Sequence, residues 1–132
     1  MKGMAMSIMV RWSDDHQTMI HMELKRGWKW HDLYGAIQQA DDLITSVPHT
    51  VHLLIDIRGA GGLPADFMTV AGDIFSKGSA RPNEGKKIVV GAGPLIRMAY
   101  TGFISTFGSQ MKDRAFLFAS SLDEARALLA KS

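Results

Sequence analysis

The sequence predicts an α/β protein in which helices cover a mostly parallel sheet, and three observations favour this fold class. Stretches with the apolar pattern of strands alternate with stretches of helical periodicity, in the order β-β-α-β-α-β-α-β-α. The interior strands are nearly continuous in apolar residues, which is typical of strands buried on both faces. Glycine-rich turns directly follow two of these strands, where a parallel sheet needs a connection from strand to helix.

The chain begins with a predicted β-hairpin. Residues 7–12 and 18–24 form its two strands, and a cluster of polar residues between them forms the turn. In the second strand His21 alternates with Ile20 and Met22, so one face of this strand is expected to be wetter than the other.

An amphipathic helix is predicted to follow, because apolar residues recur at spacings of three and four until Pro48 ends the pattern. Its apolar stripe consists of Leu33, Ala36, Ile37, Ala40, Ile44 and Val47. Residues 51–57 are then predicted to form a strand buried on both faces.

A second helix is predicted to begin at Pro64, which suits the first helical position, with Asp66 in its first turn. Its apolar positions are Phe67, Val70, Ala71, Ile74 and Phe75. The polar residues 76–85 are predicted to form a loop, and residues 88–90 a buried strand.

The last third of the chain repeats the alternation. Residues 95–107 form the most apolar predicted helix, and residues 115–119 form the last predicted strand. Ser121 and Glu124 then have the S-x-x-E spacing of a capping box, which marks the start of the closing helix. The apolar stripe of that helix consists of Leu122, Ala125, Leu128 and Leu129.

The composition limits the function classes. The chain is predicted to form a single domain over residues 1–132, with residues 1–6 frayed. Because 15 Lys and Arg nearly balance 13 Asp and Glu and form no dense basic stripe, no nucleic-acid partner is expected. The absence of cysteine excludes disulfides and thiolate sites and suits a cytoplasmic protein. No signal peptide or membrane span is expected, which leaves peripheral association with a membrane open.

The order of elements and three short motifs resemble the STAS domains of anti-anti-sigma factors. The motifs are Asp56-Ile57-Arg58-Gly59 after the central strand, WKWHDL at residues 28–33 and SLDEARALL at residues 121–129. Over residues 7–129 the chain resembles in particular the SpoIIAA-like branch of small stand-alone bacterial proteins. This resemblance implies a STAS-like fold and a small module that binds apolar ligands or associates with membranes.

One position departs from the STAS pattern. Regulatory STAS proteins carry a phosphorylated serine in a D-x-S-G motif at this strand end. Asp56 and Gly59 match the motif, but Arg58 occupies the position of the serine. Because no phosphate can be added there, the phosphoserine switch is not expected. The function predicted from the resemblance is therefore a non-enzymatic binding or regulatory module for a small apolar ligand or a protein partner.

The two glycine-rich turns, at residues 59–62 and 91–94, do not match a phosphate-binding motif. Pro64 and Ile96 stand where G-x-G-x-x-G requires its third glycine, so simple turns are the favoured interpretation. The alternative is a small anion- or nucleotide-binding protein. Its site would consist of Arg58, Gly59, Gly61, Gly93 and Arg97, with Lys77, Arg81, Lys86 and Lys87 adding positive charge.

No pattern of catalytic or metal-ligating residues stands out. The sequence contains neither H-E-x-x-H nor G-x-S-x-G, and His49 and His52 straddle a turn and a strand. His31 and Asp32 are adjacent in a helix and are expected to point in different directions, which argues against an acid–base pair. No catalytic residue, metal or cofactor is therefore predicted.

Aromatic residues are the candidates for an apolar pocket. Trp28 and Trp30 enter the first helix, and Tyr100, Phe103 and Phe107 lie along the third. A packed core explains the same residues equally well. A further alternative is a structural homodimer that associates through an exposed apolar face of the third helix.

Overall fold

The computed structural model describes residues 7–63, 67, 70, 71, 74, 82–107 and 116–130, and it has an α/β fold. The strands are β1 (Ile8–Trp12), β2 (Met19–Lys25), β3 (Val51–Gly59), β4 (Glu84–Val90) and β5 (Phe116–Ala119), and the helices are α1 (Trp30–Thr45), α2 (Pro94–Phe107) and α3 (Leu122–Ala130). Between β3 and β4, the described residues Phe67, Val70, Ala71 and Ile74 are also helical. The predictions for Pro64, Asp66 and Phe75 lie outside the described residues.

The five strands form one mostly parallel sheet in the order β1-β2-β3-β4-β5. β1 pairs with β2 in an antiparallel hairpin, and the other three pairings are parallel. The polar turn of the hairpin is closed by Asp14, whose carboxylate accepts hydrogen bonds from the backbone N–H groups of Thr18 and Met19 at 3.0 and 3.1 Å. The predicted hairpin and the predicted mostly parallel sheet are both confirmed.

The side chains of the sheet point to two faces. We call the face that packs against α1, α2 and the helical residues between β3 and β4 the inner face, and the opposite one the outer face. Alternate strand residues, among them Ile20, Met22, Leu53, Ile55 and Val89, are buried on the inner face in the main core. Each fully buried apolar side chain of this size stabilises the fold by about 1.5–3 kcal/mol.

The outer face is covered in part by α3. Ala125 and Leu129 of this helix form a second buried cluster with Leu54, Ile88 and Val90. α3 meets the β1–β2 hairpin beside its turn, where Arg126 Nη2 donates a hydrogen bond to Ser13 Oγ at 3.2 Å. Apart from the buried His21, the remaining outer-face side chains of the hairpin are partly or largely exposed.

β4 begins earlier than predicted. The expected loop over residues 76–85 and strand over 88–90 are corrected by a strand that starts at Glu84. Asn83 explains the early start, since its side-chain amide donates to the carbonyl oxygens of Ile44, Val47 and His49 at 2.8–2.9 Å. This polar anchor fixes the chain against the end of α1 and directs it into the sheet.

One of the two hydrogen bonds of the predicted capping box of α3 is present. The backbone N–H of Glu124 donates to Ser121 Oγ at 3.1 Å, as the spacing indicates. The Glu124 carboxylate accepts hydrogen bonds from the backbone N–H and the hydroxyl of Ser120, at 2.6 and 2.7 Å, rather than from Ser121. The helix start is therefore capped, with the reciprocal bond shifted by one residue.

Candidate functional site

The two glycine-rich turns lie at the same edge of the sheet. β3 and β4 are neighbouring parallel strands, so their carboxyl ends meet, which the sequence alone left open. Gly91 has a φ of +95°, and a Cβ atom built on it would lie only 2.5 Å from the Cγ atom of Arg58. Glycine is required at this position, because the side chain of Arg58 crosses the end of β4 there.

Arg58 belongs to a buried ion pair on the outer face. Its Nε atom donates to Asp56 Oδ1 at 2.9 Å and its Nη2 atom donates to Asp56 Oδ2 at 2.8 Å, which is a bidentate contact. The backbone N–H of Arg58 also donates to Asp56 Oδ1, at 3.1 Å. Asp56 is only 2% exposed. The side chain of Arg58 is 46% exposed, so it connects this buried carboxylate with the surface.

His21 completes the environment of Asp56 from the neighbouring strand. Its Nε2 atom lies 3.0 Å from Asp56 Oδ2, and the residue is 6% exposed. On its other side, Arg11 Nη2 lies 3.4 Å from His21 Nδ1. This geometry fits a neutral imidazole that donates from Nε2 to Asp56 and accepts at Nδ1 from Arg11.

The hydrogen bonds control the ionisation of Asp56. Burial alone raises the pKa of a carboxyl group. Here the donors of Arg58, together with His21, outweigh burial and lower the pKa of Asp56 from 3.8 to about 2. The same contact raises the pKa of Arg58 above its usual value. Asp56 and Arg58 are therefore both charged at neutral pH.

Glu23 extends the group of charges on the hairpin. It pairs with Arg11 at 3.4 Å and lies opposite Asp56 in the register of β2 and β3. We call Arg11, His21, Glu23, Asp56 and Arg58 the outer-face cluster. Among the described residues, the hydrogen-bond partners of His21 are Asp56 and Arg11, and neither is a nucleophile. The cluster can hold charge and position arginines, but these contacts do not form a catalytic triad.

The residues of the predicted anion site lie along the edge described above, but their side chains have other partners. The guanidinium of Arg58 binds Asp56. Arg97 Nε donates to the carbonyl oxygen of Ala92 at 3.0 Å, and its guanidinium lies 5.4 Å from the centre of the Phe118 ring. Anion binding at this edge stays a prediction.

The glycines of that predicted site have separate surroundings. Gly59 ends β3, and Gly93 accepts a hydrogen bond from the backbone N–H of Arg97 at 3.1 Å. Gly61 has a φ of +81° and lies beside the side chain of Arg26.

The lysines expected to strengthen that anion site lie elsewhere. Lys86 and Lys87 are near the start of β4, whereas Gly91 follows its end. Lys87 is buried on the inner face and pairs with Glu84 at 2.7 Å. The structure therefore places both lysines at the opposite end of β4 from Gly91, and their contribution to an anion site stays a prediction. Lys77 and Arg81 lie outside the described residues.

The aromatic residues of the predicted apolar pocket belong to two groups of ring contacts. Trp28 and Trp30 pack against each other and against Phe67, with ring centres 4.8–5.9 Å apart. Tyr100 packs against the rings of Phe116 and Phe118 at 5.8 and 5.5 Å. These contacts are those of a packed core, and the pocket stays a prediction. The side chains of Phe103 and Phe107 lie outside the described part of the structure.

The structure corrects one prediction about the remaining histidines, namely the expected directions of His31 and Asp32. His31 and Asp32 do meet, with Nε2 and Oδ1 3.2 Å apart in the first turn of α1. The side chain of His31 is 79% exposed, so the pair lies at the surface. His52 Nδ1 accepts a hydrogen bond from the backbone N–H of Lys86 at 2.9 Å. No group of three or more potential metal ligands occurs among the residues that the structure describes.

The sequence interpretation missed His21 and Arg11 as partners in a cluster. Two signals were available: Asp56 interrupts a continuous apolar strand, and His21 lies in the alternating pattern of β2. A buried carboxylate requires hydrogen-bond donors, so an acid inside such a strand indicates a partner on a neighbouring strand. Which residue that partner is depends on the register of β2 and β3.

No protein-family model matches the chain, and neither a curated protein nor a solved structure shows a significant similarity to it. Within the described ranges, none of the helices combines the length and the apolar character needed to cross a bilayer.

Proposed function

We propose that the chain is a binding module of the STAS-like type without enzymatic activity, and that it binds an acidic protein partner through the outer-face cluster. The observation that carries this proposal is the pair of arginines at the surface of the cluster. Arg58 and Arg11 have side chains that are 46% and 45% exposed, and each is held in place by a carboxylate. The resemblance to STAS domains, which act by binding, supports the same function class.

Positioned arginines are well suited to recognition. A guanidinium has five N–H groups, of which two donate to Asp56 in the case of Arg58. Because Asp56 already fixes its side chain through two hydrogen bonds, Arg58 loses little rotamer freedom on binding. Arginine is also among the residues that most often dominate the free energy of protein interfaces.

The exposed charge determines the class of partner. On the hairpin side of the outer face, Arg11, Lys25 and Arg58 are exposed, whereas Asp56 is buried and Glu23 is only about a third exposed, at 32%. A partner therefore meets a mainly positive surface beside the exposed Met9. Carboxylates on the partner complement this positive surface. Arginine favours carboxylates because a carboxylate can accept two parallel hydrogen bonds from one guanidinium.

The test compares neutralising variants at matched positions. We would capture partners from a lysate of the source organism with the immobilised chain, purify the captured protein and titrate it calorimetrically. The variants are Arg11→Gln and Arg58→Gln, and the control is Lys86→Gln, which removes an equal charge at the exposed start of β4. Arg11 is not a member of the ion pair between Asp56 and Arg58. The Arg11→Gln variant therefore keeps the test valid if Arg58→Gln folds poorly.

We expect each arginine variant to weaken binding by roughly tenfold or more, as at typical interface hot spots, and the control to bind like the original chain. Affinity should also fall with added salt. Equal affinity of Arg11→Gln and Lys86→Gln would overturn the proposal. So would sedimentation velocity showing a homodimer that Arg11→Gln dissociates, because the face would then bind a second copy.

A further inference from the structure

A cleft of about 1020 Å³ lies between the start of β1, the end of β2 and the first turns of α1. Its walls include Ile8 and Met9 from β1, Lys25 at the end of β2, Arg26 directly after that strand, and Ala36 from α1. The volume is at the upper end of the range that binds small molecules. The outer-face cluster contributes no residue to this lining, although Met9 and Lys25 belong both to the cleft and to the positive surface described above.

The polar wall of the cleft is positive. Lys25, Arg26 and Lys29 line it within five positions of the sequence, and all three are exposed. Its one carboxylate, Asp32, already accepts hydrogen bonds from Ser7 Oγ at 2.6 Å and from the backbone N–H of Lys29 at 2.9 Å. Among the described lining residues, three cations therefore face one carboxylate, which accepts these hydrogen bonds and also interacts electrostatically with Lys29.

Glycine at position 35 keeps another part of the cleft open. Gly35 lies inside the 16-residue helix α1, where glycine is less favourable than alanine. Its φ is not in the positive range, and a Cβ atom built on it would contact nothing within 4 Å. Neither backbone conformation nor packing therefore explains the glycine. It lines the cleft beside Ala36, and a larger residue at this position would fill the space.

The exposed apolar surface of the cleft provides the remaining contact. Met9 is 37% exposed and lines the cleft together with the exposed Gly35, whereas Ile8 and Ala36 are buried behind the lining at 3% and 2% exposure. Apolar surface next to three cations is complementary to a molecule with an apolar body and an anionic group. An inorganic anion would contact the cations and leave this surface unused.

We propose that this cleft binds an organic anion, in which a phosphate, sulfonate or carboxylate group contacts Lys25, Arg26 and Lys29 and an apolar body lies against Met9 and Gly35.

The test uses a pair of probes that differ in charge. 1-Anilinonaphthalene-8-sulfonate has an apolar aromatic body with a sulfonate, and N-phenyl-1-naphthylamine has the same body without it. Binding of each is measured by fluorescence titration of the folded full-length chain, with the stoichiometry from calorimetry. We expect one saturable site for the sulfonate and binding at least tenfold weaker for the neutral probe.

Two variants and two matched controls locate the site. Gly35→Phe fills the cleft, and Gly102→Phe places the same side chain on the exposed surface of α2, where a Cβ atom also meets nothing within 4 Å. The double variant Lys25→Gln/Lys29→Gln removes two cations of the cleft, and Lys86→Gln/Arg126→Gln removes two cations elsewhere. We expect the two cleft variants to weaken binding of the sulfonate at least tenfold and the controls to leave it unchanged.

The proposal is overturned if the sulfonate probe shows no saturable binding, or if the neutral probe binds equally well. It is also overturned if Gly35→Phe, with a far-UV circular dichroism spectrum like that of the original chain, binds as tightly as Gly102→Phe. If Gly35→Phe loses binding of the sulfonate probe but the double lysine variant does not, the lysines do not recognise the anionic group. This result excludes an anionic ligand and also overturns the proposal.

Discussion

Replacing Asp56 with asparagine tests whether the buried ion pair stabilises the fold in the way its geometry indicates. The substitution keeps the size of the side chain and removes its charge. Arg58 and His21 then lose a charged acceptor that each contacts at 3.0 Å or less. The free energy of unfolding is expected to fall at neutral pH, because hydrogen bonds to a charged group are stronger than those to a neutral amide.

The pKa of Asp56 gives the magnitude and its pH dependence. It is lowered from 3.8 to about 2. A difference of one pKa unit corresponds to 1.36 kcal/mol, so the ionised carboxylate contributes about 2 kcal/mol of stability. Because the folded-state pKa is lowered, this stability is fully present above about pH 5. It is lost as the pH falls through 3.8 toward 2, where the unfolded chain takes up the proton before the folded one does.

The assay is urea denaturation followed by tryptophan fluorescence, at several pH values between 2.5 and 7. We expect Asp56→Asn to be less stable by about 2 kcal/mol at pH 7 and the difference from the original chain to shrink steadily below pH 4. Asp15→Asn is the control, since it removes an exposed carboxylate from the hairpin turn. The reasoning would be refuted if the free energies of unfolding of Asp56→Asn and the original chain differed by the same amount at every pH from 7 to 2.5.

Three further predictions concern other positions. Gly91→Ala should lower the melting temperature measured by circular dichroism, since a positive φ and the close approach of Arg58 together cost about 1–2 kcal/mol or more; an unchanged melting temperature would contradict this. His52 should titrate below 6.5 in an NMR pH series, because burial and then nearby positive charge lower its pKa, and a value at or above 6.5 would disagree. Tyr100→Phe should destabilise the protein in urea by about 1 kcal/mol, because the buried backbone N–H of Phe116 loses its acceptor at 2.9 Å; equal stability would exclude this role.

Much of the fold could be predicted from the sequence because its signals are local. The apolar stripe of α1, the end of that helix before Pro48 and the continuous apolar run of β3 depend on residues within a few positions of one another. The adjacency of the two glycine-rich turns did not follow from the alternation of strands and helices, because it depends on the order of the strands in the sheet, which places β3 beside β4. The start of β4 was missed because the anchor at Asn83 contacts residues 34–39 positions away.

The candidate site was harder to predict because it depends on strand register and on the direction of side chains. His21 and Asp56 are 35 positions apart and meet only after β2 and β3 have paired. The sequence placed Arg58 at the end of the central strand beside a glycine-rich turn, but its position does not show that its guanidinium binds Asp56 two residues earlier. A residue type and a spacing do not determine a rotamer, and the rotamer decides whether an arginine is available to an anion.

The five strands are arranged in space in the same order as in the chain. Each strand after the first therefore adds to the edge left open by the strand before it, and none has to insert between two strands that are already paired. During synthesis from the amino terminus, the growing sheet can gain one strand at a time as the chain leaves the ribosome, without breaking ladder hydrogen bonds already formed. The arrangement also keeps pairing strands close in sequence, which favours fast folding for a sheet that is mostly parallel.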